Sequence, residues 1–129
     1  MKCMISNQIL PQIVNSIQYP LFSKILRTCG VSESKLHELM GMRDTIDENK
    51  IGYYPSIYGV DIRISNKKRD EIDCCVKSMY KIFGTYIYAE NEDNMEDIII
   101  KNCTKHNQTL SIAESCTGGL IGDRVTNVN

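Results

Sequence analysis

Residues 114–119 read Glu-Ser-Cys-Thr-Gly-Gly, four side chains able to act as acid, base, nucleophile or hydrogen-bond partner, followed by two glycines. Ser115, exposed on a strand-to-helix turn, could be a nucleophile beside an oxyanion hole of backbone N–H groups. Thr117, Gly118 and Gly119 could instead only hold a phosphate or a carboxamide, because free N–H groups at a helix start favour an anion. By pattern alone both readings stand open beside a third, a plain tight turn into a close-packed helix. Cys116 is a thiol candidate at the same turn. The phosphate loop Gly-x-x-x-x-Gly-Lys-Ser/Thr and the dinucleotide pattern Gly-x-Gly-x-x-Gly are both absent, which argues against a nucleoside triphosphatase and a dinucleotide-binding domain.

Such a turn needs elements on either side. Ser111 to Ala113 is short and apolar enough for a strand entering a sheet. Leu120, Ile121, Arg124 and Val125 are spaced for a helix, with Arg124 near the edge of the buried stripe. Gly118, Gly119 and Gly122 would each cost such a helix about 1 kcal/mol against alanine. Close approach of the backbone to a ligand or another segment is the usual compensation. Ser115 lies 14 residues before Asn129. An α/β domain needs far more chain after its first strand–helix unit. The polypeptide therefore reads as stopping just as its chemically active domain begins.

Upstream, Ile9, Leu10, Ile13, Val14 and Ile17 have helical spacing up to Tyr19-Pro20. Phe22 to Thr28 reads as a strand, and Gly30 as a turn. Ser32 or Ser34 can cap a helix carrying Leu36, Leu39 and Met40. Asp44 to Gly52 is polar and reads as a loop. Tyr58, Val60, Ile62 and Ile64 alternate as in a half-buried strand. Ile72, Cys75, Val76, Met79, Tyr80 and Phe83 mark a helix stopped by Gly84, and Tyr86 to Tyr88 a strand. Asp93 and Asn94 can cap a helix from Met95 to Lys105, whose acidic start and basic end suit the helix dipole. Tyr53, Tyr54 and Tyr58 read as strand-edge and core packing residues with wet hydroxyls. His37 and His106 read as surface residues.

The run Ala113-Glu114-Ser115-Cys116-Thr117-Gly118-Gly119 resembles the opening of the C-terminal domain of the competence- and damage-inducible protein A (CinA) family, at every position. Lys105 to Thr109 and Arg124-Val125-Thr126 also look familial. Upstream, Ser32 to Leu36, Pro55 to Ile64 and Tyr86 to Glu90 resemble parts of the family's small KH-like middle domain. The resemblance implies an α/β (α+β) chain in three parts. Residues 1–20 would be the last helix of an N-terminal, molybdopterin-binding-like domain. Residues 21–90 would be a KH-like domain of about three strands and two helices. Residues 91–129 would be the first helix–strand–helix of a truncated C-terminal domain.

That domain is similar to nicotinamide mononucleotide deamidases, which hydrolyse the carboxamide of a pyridine nucleotide and release ammonia. The resemblance implies that Ser115 is the catalytic nucleophile and that Glu114, Thr117, Gly118 and Gly119 lie at the substrate, with orientation of the turn as the other role open to Glu114. It places a serine-activating lysine beyond residue 129. The 129 residues alone are expected to be inactive, since one strand and one helix cannot close a pocket. The alternative is a non-catalytic KH-like scaffold or dimerisation module, for which a homodimer is the natural partner state. RNA-binding KH domains use a Gly-x-x-Gly loop with basic residues. Gly119-Leu120-Ile121-Gly122, the Gly-x-x-Gly of this sequence, is apolar and lies outside the KH-like segment.

Composition sets limits. Fifteen basic and sixteen acidic residues give a formal net charge of −1, so no basic excess points to nucleic acid or an anionic membrane. No apolar run approaches the length of a bilayer span, and residues 1–8 lack the apolar core of a signal peptide. The six cysteines include no Cys-x-x-Cys pair and have no metal-ligand spacing to His37 or His106. These features fit a cytoplasmic protein with free thiols, no metal and no cofactor in this chain.

Overall fold

The computed structural model describes residues 21–41 and 50–128. The helix expected over residues 9–17, most of the loop expected from Asp44, and Cys3 lie outside them. Strand β1 (Phe22–Thr28) turns Leu26 and Thr28 to the interior. Ser32 caps α1 (Glu33–Met40), its hydroxyl accepting the Lys35 N–H at 3.3 Å, a contact worth about 1 kcal/mol over alanine. Leu36 and Met40, one turn apart, are the buried residues of α1. Strands β2 (Ile51–Ser56) and β3 (Gly59–Asn66) pair across the tight turn at Ile57 and Tyr58. Helix α2 (Arg69–Phe83) buries Ile72, Val76, Met79 and Phe83 along one stripe. Strand β4 (Ile87–Glu90) completes the sheet.

The strand order is β2-β3-β1-β4, and every neighbouring pair is antiparallel. Each strand–helix–strand unit, β1-α1-β2 and β3-α2-β4, therefore skips over one strand. This is the split β-α-β topology of ferredoxin-like folds. Leu26, Val60, Ile62 and Ile64 from the sheet meet Leu36, Met40, Ile72, Val76, Met79 and Phe83 from the two helices in a single cluster. Thr28 is buried with them and donates its hydroxyl to the Val60 carbonyl at 2.7 Å. Its polar group is thus satisfied where an unpaired one would be costly.

The mixed α/β architecture expected from the sequence is present, with differences in detail. The sheet has four strands rather than about three. The added one is β2, and it takes in Ile51 and Gly52, which had read as loop. Gly52 and Pro55 hide its pattern, and an edge strand tolerates a proline that a central strand would not. Tyr58 sits in the hairpin turn and is 59% exposed, instead of leading the alternation of β3. Tyr86 precedes β4 and donates its N–H to the Phe83 carbonyl at 2.7 Å, closing the turn after α2. Tyr53 packs against the core as expected, and the His37 ring lies 4.3 Å from its own.

The two helices cover one face of the sheet. The other carries Arg27, Tyr54, Asp61 and Arg63, as the cross-strand pairs Arg27–Asp61, Tyr54–Asp61 and Gly52–Arg63 require. A bulge between β1 and β4 pairs Arg27 with Ala89 and Thr28 with Ile87, leaving Tyr88 without a register partner. The Arg27 guanidinium lies 5.9 Å from the centre of the Tyr88 ring. It also donates from Nη1 to the Asp93 carbonyl and to Asn94 Oδ1, both at 3.0 Å. This ties β1 to the start of α3 (Met95–Lys105), where Asn94 is the cap and the Asp97 carboxylate accepts the Asn94 N–H at 2.9 Å. No described helix is long and apolar enough to cross a membrane.

Candidate functional site

Residues 111–113, where the sequence predicts a strand, have no ladder partner among the described residues and are not one. A strand exists through hydrogen bonds to a neighbour. The apolar spacing of Leu110 and Ile112 has no sheet to join here, and both side chains are exposed. A turn over 115–119 then leads into α4 (Leu120–Thr126), with Gly119 as its N-cap.

Glu114 organises this turn. Its Oε2 accepts the Thr117 hydroxyl at 2.5 Å and the Ile121 N–H at 2.9 Å, and its Oε1 accepts the Gly122 N–H at 2.7 Å. The first N–H groups of a helix have no partner within it and carry a partial positive charge. The anion they attract in this chain is its own carboxylate. The Thr117 hydroxyl, and after it the Ile121 and Gly122 N–H groups, hold the Glu114 carboxyl below the ordinary carboxylate value of 4.5.

The three glycines now separate. Gly118 and Gly119 lie before the helix with φ of +63° and +93°, left-handed values that the tight turn requires. Gly122 alone lies inside α4. A Cβ there would stand 3.3 Å from Glu114 Oε1, so its backbone is kept bare for the carboxylate.

Two consequences are measurable by amide exchange. A depressed folded-state pKa means that the Glu114 contribution is present above the unfolded value and lost as pH falls through the folded one. Relative to intrinsic rates, Ile121 and Gly122 should be protected above pH 4.5 and lose protection in more acidic solution. Glu114→Gln should lose much of this protection at neutral pH, because the amide offers one acceptor oxygen where the carboxylate offers two. Protection that ignores both pH and the substitution would contradict this role.

The expected site residues therefore divide. Ser115 and Cys116 are exposed at the turn, while Glu114 and Thr117, expected at the substrate, are engaged with each other. Among the described residues, none hydrogen-bonds the Ser115 hydroxyl. Cys29, Cys74, Cys75, Cys103 and Cys116 are free thiols; Cys75 lies against the core, and burial pushes its thiol up. No three described His, Cys, Asp or Glu side chains converge as a metal site.

One arrangement was not legible. Arg124 forms a two-pronged pair with Glu96, Nε to Oε1 at 3.2 Å and Nη2 to Oε2 at 2.8 Å, joining α4 to α3. The spacing predicted Glu96 as a helix-dipole charge and Arg124 as a stripe-edge residue. They lie 28 positions apart, so no local pattern pairs them.

The family model for the damage-inducible protein CinA KH domain matches residues 23–89, and that for the CinA C-terminal domain matches residues 92–129. This chain belongs to the CinA family. It is 33% identical over 132 residues to a CinA-like protein of Dictyoglomus thermophilum, covering 97% of this chain and 32% of that protein. A CinA-like protein of Dictyoglomus turgidum is 33% identical over 134 residues, with 97% and 32% covered. One from Prochlorococcus marinus strain MIT 9312 is 29% identical over 120 residues, with 88% and 28% covered. The chain thus spans about a third of the length of these relatives. The two CinA matches meet between β4 and α3. The four-stranded unit is the KH part, and α3, the Glu114 turn and α4 belong to the C-terminal part.

Proposed function

We propose that the complete CinA protein containing this chain hydrolyses the carboxamide of a pyridine nucleotide, nicotinamide mononucleotide, with Ser115 as nucleophile. The observation that carries the reading is the turn itself. Glu114 fastens residues 114–122 onto the start of α4 through three hydrogen bonds and leaves Ser115 exposed beside two left-handed glycines.

In this mechanism Ser115 Oγ gives its proton to a base and attacks the carboxamide carbon. The carbon–nitrogen bond breaks, ammonia departs with a proton, and an ester to Ser115 remains. Water hydrolyses the ester, giving the nicotinate nucleotide and restoring the hydroxyl. Thr117, Gly118 and Gly119 surround the substrate, and the base is a lysine supplied from outside residues 1–129. The test is to incubate the complete gene product with nicotinamide mononucleotide and follow ammonia and the acid nucleotide together. Their appearance in equal amounts is expected; no ammonia removes the reading.

A second reading has an observation of its own. The KH part has a complete core between sheet and helices, built without any residue beyond Ala89. It would then serve as a scaffold or dimerisation module, and a monomeric KH part without a partner would count against it.

A further inference from the structure

Helix α4 has seven residues and buries none of them, and Leu120 and Ile121 on it are exposed. An isolated helix of that length is unstable in water, and most helices in proteins rely on packing an apolar face. Its half-buried Val125 is little to hold α4 by burial alone. Glu114 secures its first turn. A second tether is Arg124, which touches both CinA parts at once. Its edge pairs with Glu96 on α3, and its Cζ lies 4.8 Å from the centre of the Tyr58 ring at the tip of the β2–β3 hairpin. The side chains of Arg124 and Glu96 are 35% and 18% exposed. A planar guanidinium can do both because its N–H fork meets a carboxylate while its face meets a ring. Arg27, Tyr88 and Asn94 line the same cavity of about 460 Å³ with Tyr58, Glu96 and Arg124.

We propose that Arg124 is a positioning residue, through which the KH sheet sets the orientation of α4 and hence of the Ser115 turn. The docking itself needs only the contacts above; its effect on turnover rests on the amidohydrolase reading. Among the described residues, the hairpin tip and α4 share no charged or aromatic contact besides that of Arg124 with Tyr58.

The test is amide exchange in the complete gene product, read at residues 120–126 and, as an internal control, in β1 and β3. Tyr58→Ala should speed exchange of α4 about two- to fivefold, the range expected for an exposed cation–π contact. Arg124→Ala, which also removes the Glu96 pair, should speed it about tenfold. Tyr58→Phe should match wild type, and Arg124→Lys should fall between wild type and Arg124→Ala, because lysine lacks the fork and the flat face. Tyr58→Ala added to Arg124→Ala should change nothing further. Unchanged α4 exchange in Tyr58→Ala, or effects that simply add, would overturn the proposal. Tyr58 lies in an exposed turn, so this variant decides even if Arg124→Ala fails to fold. Turnover provides the second readout: Tyr58→Ala should lower kcat for nicotinamide mononucleotide with KM nearly constant. If exchange responds while kcat does not, the docking stands and its link to catalysis falls.

Discussion

Gly59→Ala should destabilise the KH part by more than about 3 kcal/mol. Gly59 opens β3 with φ of +147°, a backbone conformation that side chains rarely adopt. A Cβ there would collide with the Thr28 carbonyl oxygen of β1. The clash falls on the central strand pair, next to the buried hydrogen bond from Thr28 to Val60. Neither side can yield cheaply, because both contacts are backbone held by ladder hydrogen bonds. Folded proteins are stable by only about 5–15 kcal/mol, so a large part of the margin would go. The urea midpoint should fall sharply, with a slope close to that of the native protein. An unchanged midpoint would mean that the hairpin has another low-energy conformation.

In the complete gene product, on the amidohydrolase proposal, Ser115→Ala should lower ammonia release from nicotinamide mononucleotide by about 10³-fold or more, because removing a nucleophile removes the covalent route. Cys116→Ala should stay within about threefold of the native rate. Both side chains are exposed on the same turn, so the structure alone does not rank them. The ranking comes from the role of Ser115 implied by the Ala-Glu-Ser-Cys-Thr-Gly-Gly run. Since neither side chain packs into the core, folding should survive both changes, and the comparison reads chemistry rather than stability.

How much of this could be read from the sequence depended on the range of the interaction. Helix α2 was legible because Ile72, Val76, Met79 and Phe83 repeat at helical period over about three turns, and α3 because Asn94 and Asp97 give a local start signal. Strand β2 was not, because its place is set by pairing with β3 while Gly52 and Pro55 disrupt its own pattern. Residues 111–113 misled in the opposite direction, since they are apolar enough for a strand but have no neighbour to pair with among the described residues. At the candidate site, the residue types of the turn and its helix were legible, and the family resemblance built on them was sound. The partner of Glu114 was not, because its carboxylate reaches seven and eight residues ahead to Ile121 and Gly122 instead of following the usual capping spacing. The meeting of Arg124 with Tyr58 and Glu96 depends on tertiary packing and leaves no trace in local sequence.

On the proposed reading, the Glu114-braced turn presents Ser115 for attack on a nucleotide carboxamide. The most direct measurement is the rate of ammonia release from saturating nicotinamide mononucleotide by the complete gene product and its Ser115→Ala variant, both checked for native folding. The account predicts steady release by the native protein and loss of nearly all of it in the variant. Equal rates in the two proteins would contradict it and remove Ser115 from the mechanism.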